Sequence, residues 1–349
     1  MSRKLLAIRL RALGDVVLTI PALRALKRGH PGADLEVVTD PRYAALLEWV
    51  PEVSRVRPLE RSTLAVWRLA SELRREPREW AIDFFGNPRS ATLLRISGAR
   101  RTAGFDLRGR RHAYQVRVPR DAPGPGGGRE HASSAHLRLA LAAGGIADGQ
   151  GATLTPPAEA LAAGARLIDA AGVRAPSRAI GLVAAGTWPT KTWPAANAAM
   201  LARLLTQGRE VVLIAGPGEE GVTTVVKRHA PDVRVMPPCD VAGLAGAIAH
   251  LGALVGTDSG PRHLAAALGV PTYAWFGPTH PDTWQPPGEA HGFWRAPVPC
   301  AGCDRTRCPH WICMPSLTPA EAARRVIDHL DRFESHREPT AALRPAAGA

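Results

Sequence analysis

Short apolar runs recur along this chain, and almost every one is followed by a longer stretch with helical spacing. Residues 4–10, 35–39, 53–56 and 80–84 read as strands, and residues 16–28, 43–49 and 64–75 read as the helices between them. Such alternation belongs to a parallel sheet, because parallel neighbours need a crossover long enough to hold a helix. The pattern restarts at 179–184 and continues through strands at 210–215, 233–236 and 253–255, with helices at 195–207, 222–229 and 241–250. Between the two series lie a helix at 131–143, a Gly- and Pro-rich linker at 144–157 and an Ala-rich helix at 158–171. The chain, at 349 residues, is long enough for two packed cores. The sequence therefore predicts an α/β protein of two doubly wound domains, 1–157 and 158–317, facing a central cleft. Ligands should sit at the carboxyl ends of strands that open into it. Residues 318–334 read as a helix capped by Thr318, with Glu321 at the capping-box position. This helix is expected to pack back toward the first domain. Residues 335–349 read as a tail.

Charge is divided unevenly. Residues 1–150 hold 26 Lys and Arg against 15 Asp and Glu, while 151–349 hold 18 against 16, so the net +13 belongs mostly to the first half. Arg95, Arg100, Arg101, Arg108, Arg110, Arg111, Arg117 and Arg120 follow one another with only Asp106 opposing. Such a run reads either as a solvated face or as an attraction to an anionic partner. Nucleic acid, an acidic membrane and a polyanionic acceptor all qualify. A hydrophobic content of 45% excludes global disorder. No apolar run approaches the roughly 20 residues of a membrane span, and the apolar run after Lys4 is too short for a signal peptide. A cytoplasmic location is expected.

Three loops that follow strands carry polar residues which packing does not require. They are Gly14-Asp15, the 186–191 loop with Thr187 and Lys191, and Asp258-Ser259-Gly260-Pro261-Arg262-His263. In the last, Ser259 or Asp258 is placed to cap a helix, Pro261 suits its first turn and Gly269 closes it. A helix N-terminus of this kind is a ready anion site. Singly, each loop has a plain explanation: Asp15 as a helix cap, Lys191 as a solvated side chain, His263 as a packed polar residue. Together, at strand ends in two domains, they read as an acid/base and anion-binding site.

Several strings, in order along the chain, resemble one family. They are Arg9-x-Arg11-Ala12-Leu13-Gly14-Asp15-Val16-Val17-Leu18-Thr19-x-Pro21, Asp83-Phe84-x-Gly86-Asn87, and Ser97-Gly98-Ala99-Arg100-Arg101-x-Ala103-Gly104-Phe105. Further on come Lys191-x-Trp193-Pro194, Gly256-x-Asp258-Ser259-Gly260-x-x-His263-x-Ala265-Ala266-Ala267 and Phe276-Gly277-Pro278-Thr279. They resemble the ADP-heptose:lipopolysaccharide heptosyltransferases, glycosyltransferase family 9, over about residues 4 to 330. The resemblance implies a GT-B fold and an inverting transfer of heptose from ADP-heptose to Kdo or heptose in the inner core of lipopolysaccharide. No cofactor is implied for catalysis.

Asp15 falls on the family's general base, and Lys191 is the cation expected at the leaving phosphate, with Gly186 and Thr187 as donors. Ser259 and Gly260 are expected at the pyrophosphate, Asp258 at the sugar hydroxyls, Met236 in the turn beside the adenine. His263 is expected near the donor phosphates or in packing. Family members often carry Thr-Gly where this chain has Ser259-Gly260; the hydroxyl is kept. Arg9, Arg11, Gly14, Arg100, Arg101 and Arg108 are expected on the acceptor side. A lipid A precursor as acceptor implies peripheral contact with the inner face of the cytoplasmic membrane.

Cys300, Cys303, Cys308 and Cys313 are clustered at a spacing open to a structural zinc knot, with His310 as an alternative ligand, or to reduced thiols. Cys239 stands apart and reads as a small packed residue. At this level two other readings stay open. One is a GT-B enzyme that uses another nucleotide sugar for a different surface glycan, or epimerises one. The other is a basic nucleic-acid-binding protein. For the latter the sequence offers no recognised motif, and no nucleic-acid partner is expected.

Overall fold

The computed structural model describes residues 3–336. The tail expected at 335–349 lies, from 337 onward, outside the described residues. The first sheet holds β1 (Lys4–Ile8), β2 (Asp34–Thr39), β3 (Arg55–Pro58), β4 (Trp80–Asp83), β5 (Arg101–Phe105) and β6 (Val116–Val118). Its order is β3-β2-β1-β4-β5-β6, all parallel. Its helices are α1 (Leu13–Gly29), α2 (Ala44–Glu48), α3 (Thr63–Arg74), α4 (Pro88–Ile96) and α5 (Ala132–Ala142). Side chains alternate across β1 and so sort the layers. Leu5 and Ala7 pack in one core with α1 and α5, while Leu6 and Ile8 pack in another with α3 and α4.

The second sheet repeats the winding. It holds β7 (Ile180–Val183), β8 (Val211–Leu213), β9 (Arg234–Val235), β10 (Ala253–Thr257), β11 (Thr272–Phe276) and β12 (His291–Arg295), in the order β12-β11-β10-β7-β8-β9. Its helices are α6 (Ala158–Ala170), α7 (Ala195–Leu205), α8 (Glu220–His229), α9 (Val241–His250), α10 (Gly260–Ala267), α11 (Pro281–Trp284) and α12 (Pro319–His336). In each half the strand order reverses beside the first strand, between β1 and β4 and between β7 and β10. Those switch points are where an open α/β sheet leaves a crevice.

Several local expectations shift. α1 begins at Leu13 and runs on through the buried Pro21. β5, β6 and β12 have no counterpart in the sequence reading, because Arg101-Thr102-Ala103-Gly104-Phe105, Val116-Arg117-Val118 and His291-Gly292-Phe293-Trp294-Arg295 lack a continuous apolar run. The connection after α5 is tied down by Arg24, which bonds Asp148, the carbonyls of Gln150 and Gly151, and Thr153. Among the described residues, α12 packs on the second domain and not, as expected, on the first. Its buried Ala322, Ala323, Val326 and Leu330 join the core that holds Ala198, Leu201 and Leu205 of α7. Its first turn is held by Glu321 pairing forward with Arg324 and Arg325.

The two halves meet where α1 and α10 begin. A Cβ on Gly14 would lie 2.7 Å from His263 Cδ2, and one on Gly260 would lie 3.1 Å from the Gly14 nitrogen. Only glycine lets the two helix starts approach this closely.

Candidate active site

Asp15 lies in the first turn of α1, just beyond the carboxyl end of β1. Arg9, 4% exposed, places Nη2 2.6 Å from Asp15 Oδ1 and donates through Nη1 to the Phe84 carbonyl. Its guanidinium also lies over the Phe85 ring, 5.3 Å from the centroid. Burial raises the Asp15 carboxyl, but the Arg9 charge, together with His136, the Ala12 N–H and Arg120, holds Asp15 below the ordinary carboxylate value. Asp15 is therefore ionised and aimed. His136 of α5 completes the cluster. Burial drives its pKa down to about 3, so the ring is neutral. The tautomer that donates Nδ1–H to the Leu18 carbonyl, 3.3 Å away, leaves Nε2 facing Arg9 Nη1 at 3.5 Å.

The Asp83 string supports this cluster from behind. Asp83 accepts the N–H groups of Phe85 and Gly86 and the hydroxyls of Ser90 and Tyr114. That folds the turn carrying Phe84 and Phe85 to Arg9. Gly86, at φ +70°, takes the left-handed conformation the turn requires.

Across the cleft, Asp258 follows β10 and is 2% exposed. Its Oδ2 lies 2.9 Å from Lys191 Nζ and accepts from Thr279 Oγ1 at 2.8 Å. Burial raises the Asp258 carboxyl, and Lys191, with His263 and Arg262, more than reverses this. Lys191 comes from a tight turn after β7 and sits 5.3 Å above the Trp188 ring. Gly186 makes the turn fit, since a Cβ there would lie 2.8 Å from that of Lys191. Thr187 is exposed on the same loop, and Met236 is buried at the end of β9.

Ser259 stands at the cap position of α10, but its side chain makes no cap hydrogen bond. Its Oγ, Asp258 Oδ1 and His263 Nδ1 are all buried without a hydrogen-bond partner. Native proteins pair nearly all such groups, and three fall together here at the start of α10. His263, neutral because burial lowers its pKa to about 4, packs against Gly14.

A cavity of about 540 Å³ lies between the halves, with Asp15, Arg120 and His136 on one wall and Trp188, Trp284 and Asp304 on the other. The Gly-rich loop at 122–129 reaches across one end of it. Arg129 bonds Asp304, the Gly302 carbonyl at 2.9 Å and, through its backbone N–H, Asp282 at 3.3 Å.

The acceptor-side expectations divide. Arg9 is engaged with Asp15 and buried, so it serves the carboxylate rather than an incoming ligand. Arg100 and Arg101 sit at the start of β5, and Arg101 covers the ring of Trp80 at the start of β4. A five-residue strand, about 16 Å long, separates them from the cleft end of the sheet. Arg11 and Arg108 are exposed beyond the ends of β1 and β5, on the cleft side, and Gly14 is buried against α10.

Among the described residues, no group of three or more His, Cys, Asp or Glu is arranged to hold a metal. Cys300, Cys303, Cys308 and Cys313 are free thiols, the first two exposed and the last buried, and are not gathered into the zinc knot that their spacing left open. Their segment instead backs the Lys191 turn. Thr190 bonds the Arg305 carbonyl, and Trp311 Nε1 bonds the Thr190 carbonyl. Sequence reasoning missed His136, Thr279 and Trp284. The first two had a signal, as a lone titratable residue on an apolar helix face and as the polar end of a quoted string.

Two Rossmann-like halves, each a six-stranded sheet with its switch point, and a cavity between them are the arrangement of the GT-B glycosyltransferases. The model of glycosyltransferase family 9 (heptosyltransferase) matches residues 66–311, and the chain belongs to that family. It is 28% identical to lipopolysaccharide heptosyltransferase 1 of Pseudomonas aeruginosa over 93% of this chain and 91% of the relative. The fold is that of a family 9 glycosyltransferase from Veillonella parvula (TM-score 0.82, 21% identity, covering 95% of this chain and 98% of that one). It also matches the Escherichia coli ADP-heptose lps heptosyltransferase II (TM-score 0.77, 20% identity, 95% and 99%).

Proposed function

We propose that this heptosyltransferase moves a heptose from ADP-heptose to a Kdo or heptose hydroxyl of the lipopolysaccharide inner core, with inversion at the transferred carbon. The observation that carries the reading is the meeting of Asp15 with Trp188, Trp284 and Asp304 around one cavity, beside the Lys191–Asp258 pair. A sugar hydroxyl is a poor nucleophile until its proton is taken, and Asp15, charged and held by Arg9, takes it as the oxygen attacks. The bond to the leaving ADP breaks on the opposite face. Charge that develops on its phosphate meets Lys191 and the free N–H groups at the start of α10. Ser259 Oγ, buried without a hydrogen-bond partner, suits the pyrophosphate, and Asp258 Oδ1, which accepts no hydrogen bond, suits the sugar hydroxyls. Met236, at the end of β9, is the residue assigned to the adenine.

Arg11, Arg108 and Arg120 would receive the anionic groups of the acceptor. Because that acceptor is lipid-linked, the enzyme works as a peripheral protein at the inner face of the cytoplasmic membrane. Among the described residues no helix is long and apolar enough to cross a membrane. The test is ADP release from a panel of ADP-, UDP- and GDP-sugars with and without Kdo- and heptose-terminated acceptors. The expected result is release only from ADP-heptose, and only with acceptor. Faster turnover of a UDP- or GDP-sugar would contradict the donor assignment.

A further inference from the structure

The face of the first domain turned away from α1 and α5 carries a feature that the transfer reaction does not use. Along α3, Leu64 is 66% exposed and Trp67 is 58% exposed. Arg68, Ser71, Arg74 and Arg75 continue the same exposed stripe, since residues three and four apart share a helix face. Ile96 of α4 joins Trp67, Arg74 and Arg75 around a shallow groove of about 290 Å³. A scattered surface leucine needs no explanation, but a leucine and a tryptophan one turn apart, bordered by arginines, do. Glu72 on the same helix is turned to Arg57. Among the described residues, Arg68, Arg74 and Arg75 have no carboxylate partner, and Arg95 and Arg100 extend the exposed positive face on α4 and just beyond it.

We infer that this α3–α4 stripe is the surface by which the protein docks on an anionic phospholipid bilayer. An indole and a leucine flanked by arginines match the interface of such a bilayer, where the ring sits at headgroup level and the cations meet lipid phosphates. A second copy of the chain fits worse, because a two-fold contact through this face would oppose like charges. The stripe lies on the layer opposite α1, so docking leaves the cleft and the second domain free in solution. The inference rests on the proposed lipid-linked acceptor only for its purpose; the docking itself stands apart from which sugar moves.

The experiment is co-sedimentation of the full chain with vesicles of phosphatidylglycerol and phosphatidylethanolamine, and with vesicles of phosphatidylcholine, neither holding any acceptor. Wild type should sediment with the anionic vesicles and stay in solution with the neutral ones. Leu64→Ser with Trp67→Ser should lower partition about tenfold. Arg68→Glu with Arg74→Glu and Arg75→Glu should abolish it. All these side chains are exposed, so both variants should keep wild-type unfolding temperature and wild-type turnover on a soluble, lipid-free acceptor. Unchanged partition in either variant, no preference of wild type for anionic vesicles, or a dimer that these substitutions dissociate would overturn the assignment. Loss of donor turnover with vesicle binding intact would count against the proposed reaction and leave the docking face standing.

Discussion

Gly14 of α1 lies directly against His263 of α10, so the first turn of one half forms a floor with the first turn of the other. A Cβ at Gly14 would meet the imidazole at 2.7 Å, inside any real contact distance. Gly14→Ala must therefore push the helix starts apart, at a cost of about 1–3 kcal/mol for overpacking. It should lower the unfolding temperature and raise the KM for the donor. Denaturant unfolding and steady-state kinetics on one preparation check both effects.

Arg9 is the strongest of the groups that favour the ionised Asp15 against its burial. The native carboxyl lies below its ordinary value, so the stabilisation it gives is present above the unfolded value and lost as pH falls through the lower, native one. Arg9→Met removes the largest of the charges that oppose burial and should move the acid limb of kcat/KM upward by about one pH unit or more. Arg9→Lys, which keeps the charge, should restore most of the profile. A pH profile unchanged in Arg9→Met would separate Arg9 from the base.

Lys191 pairs with the buried Asp258 and, in the proposed reaction, meets the leaving phosphate. Lys191→Met should reduce kcat by about 10²- to 10³-fold, in the range of losing one preorganised electrostatic contact. It should also destabilise the second half, because the buried Asp258 loses its close cation and keeps the Thr279 hydroxyl and the neutral His263 ring 3.8 Å away. Comparison with Thr279→Val separates the effects: that variant should lose stability with a smaller loss of kcat.

Arg129 spans the cleft mouth from an exposed loop, and both it and Asp304 are about half exposed. Arg129→Ala should change unfolding free energy by less than about 1 kcal/mol, as surface pairs do. If the loop helps hold substrate, KM should rise several-fold with kcat little altered. Kinetics and thermal unfolding together check it.

The doubled α/β winding was legible because buried parallel strands such as 4–8 and 253–257 are continuous apolar runs, which periodicity finds. β5 and β12 carry arginine or histidine at their ends, and so escaped. Asp15, Lys191, Asp258 and Ser259 were legible as polar residues just past strands; Asp15 lines the cavity, and Lys191, paired with Asp258, packs on Trp188 of its other wall. Arg9 was not legible as a buried partner of Asp15, since nothing in a run of arginines says which one turns inward. Arg100 and Arg101 looked equivalent to Arg108, yet strand direction puts them at the far end of the sheet. The packing of α12 on α7 was equally hidden, because an amphipathic helix states that it has an apolar face and not what covers it.

The most direct measurement is acceptor-dependent ADP release by Asp15→Asn, an isosteric change that removes the base and keeps the side chain's size. Turnover should fall by about 10²- to 10⁴-fold, the usual contribution of a positioned base. ADP affinity, measured by calorimetry, should stay within about twofold, because the donor groups lie across the cleft. Turnover within about twofold of wild type, in a protein with the wild-type unfolding temperature, would contradict the assignment of Asp15.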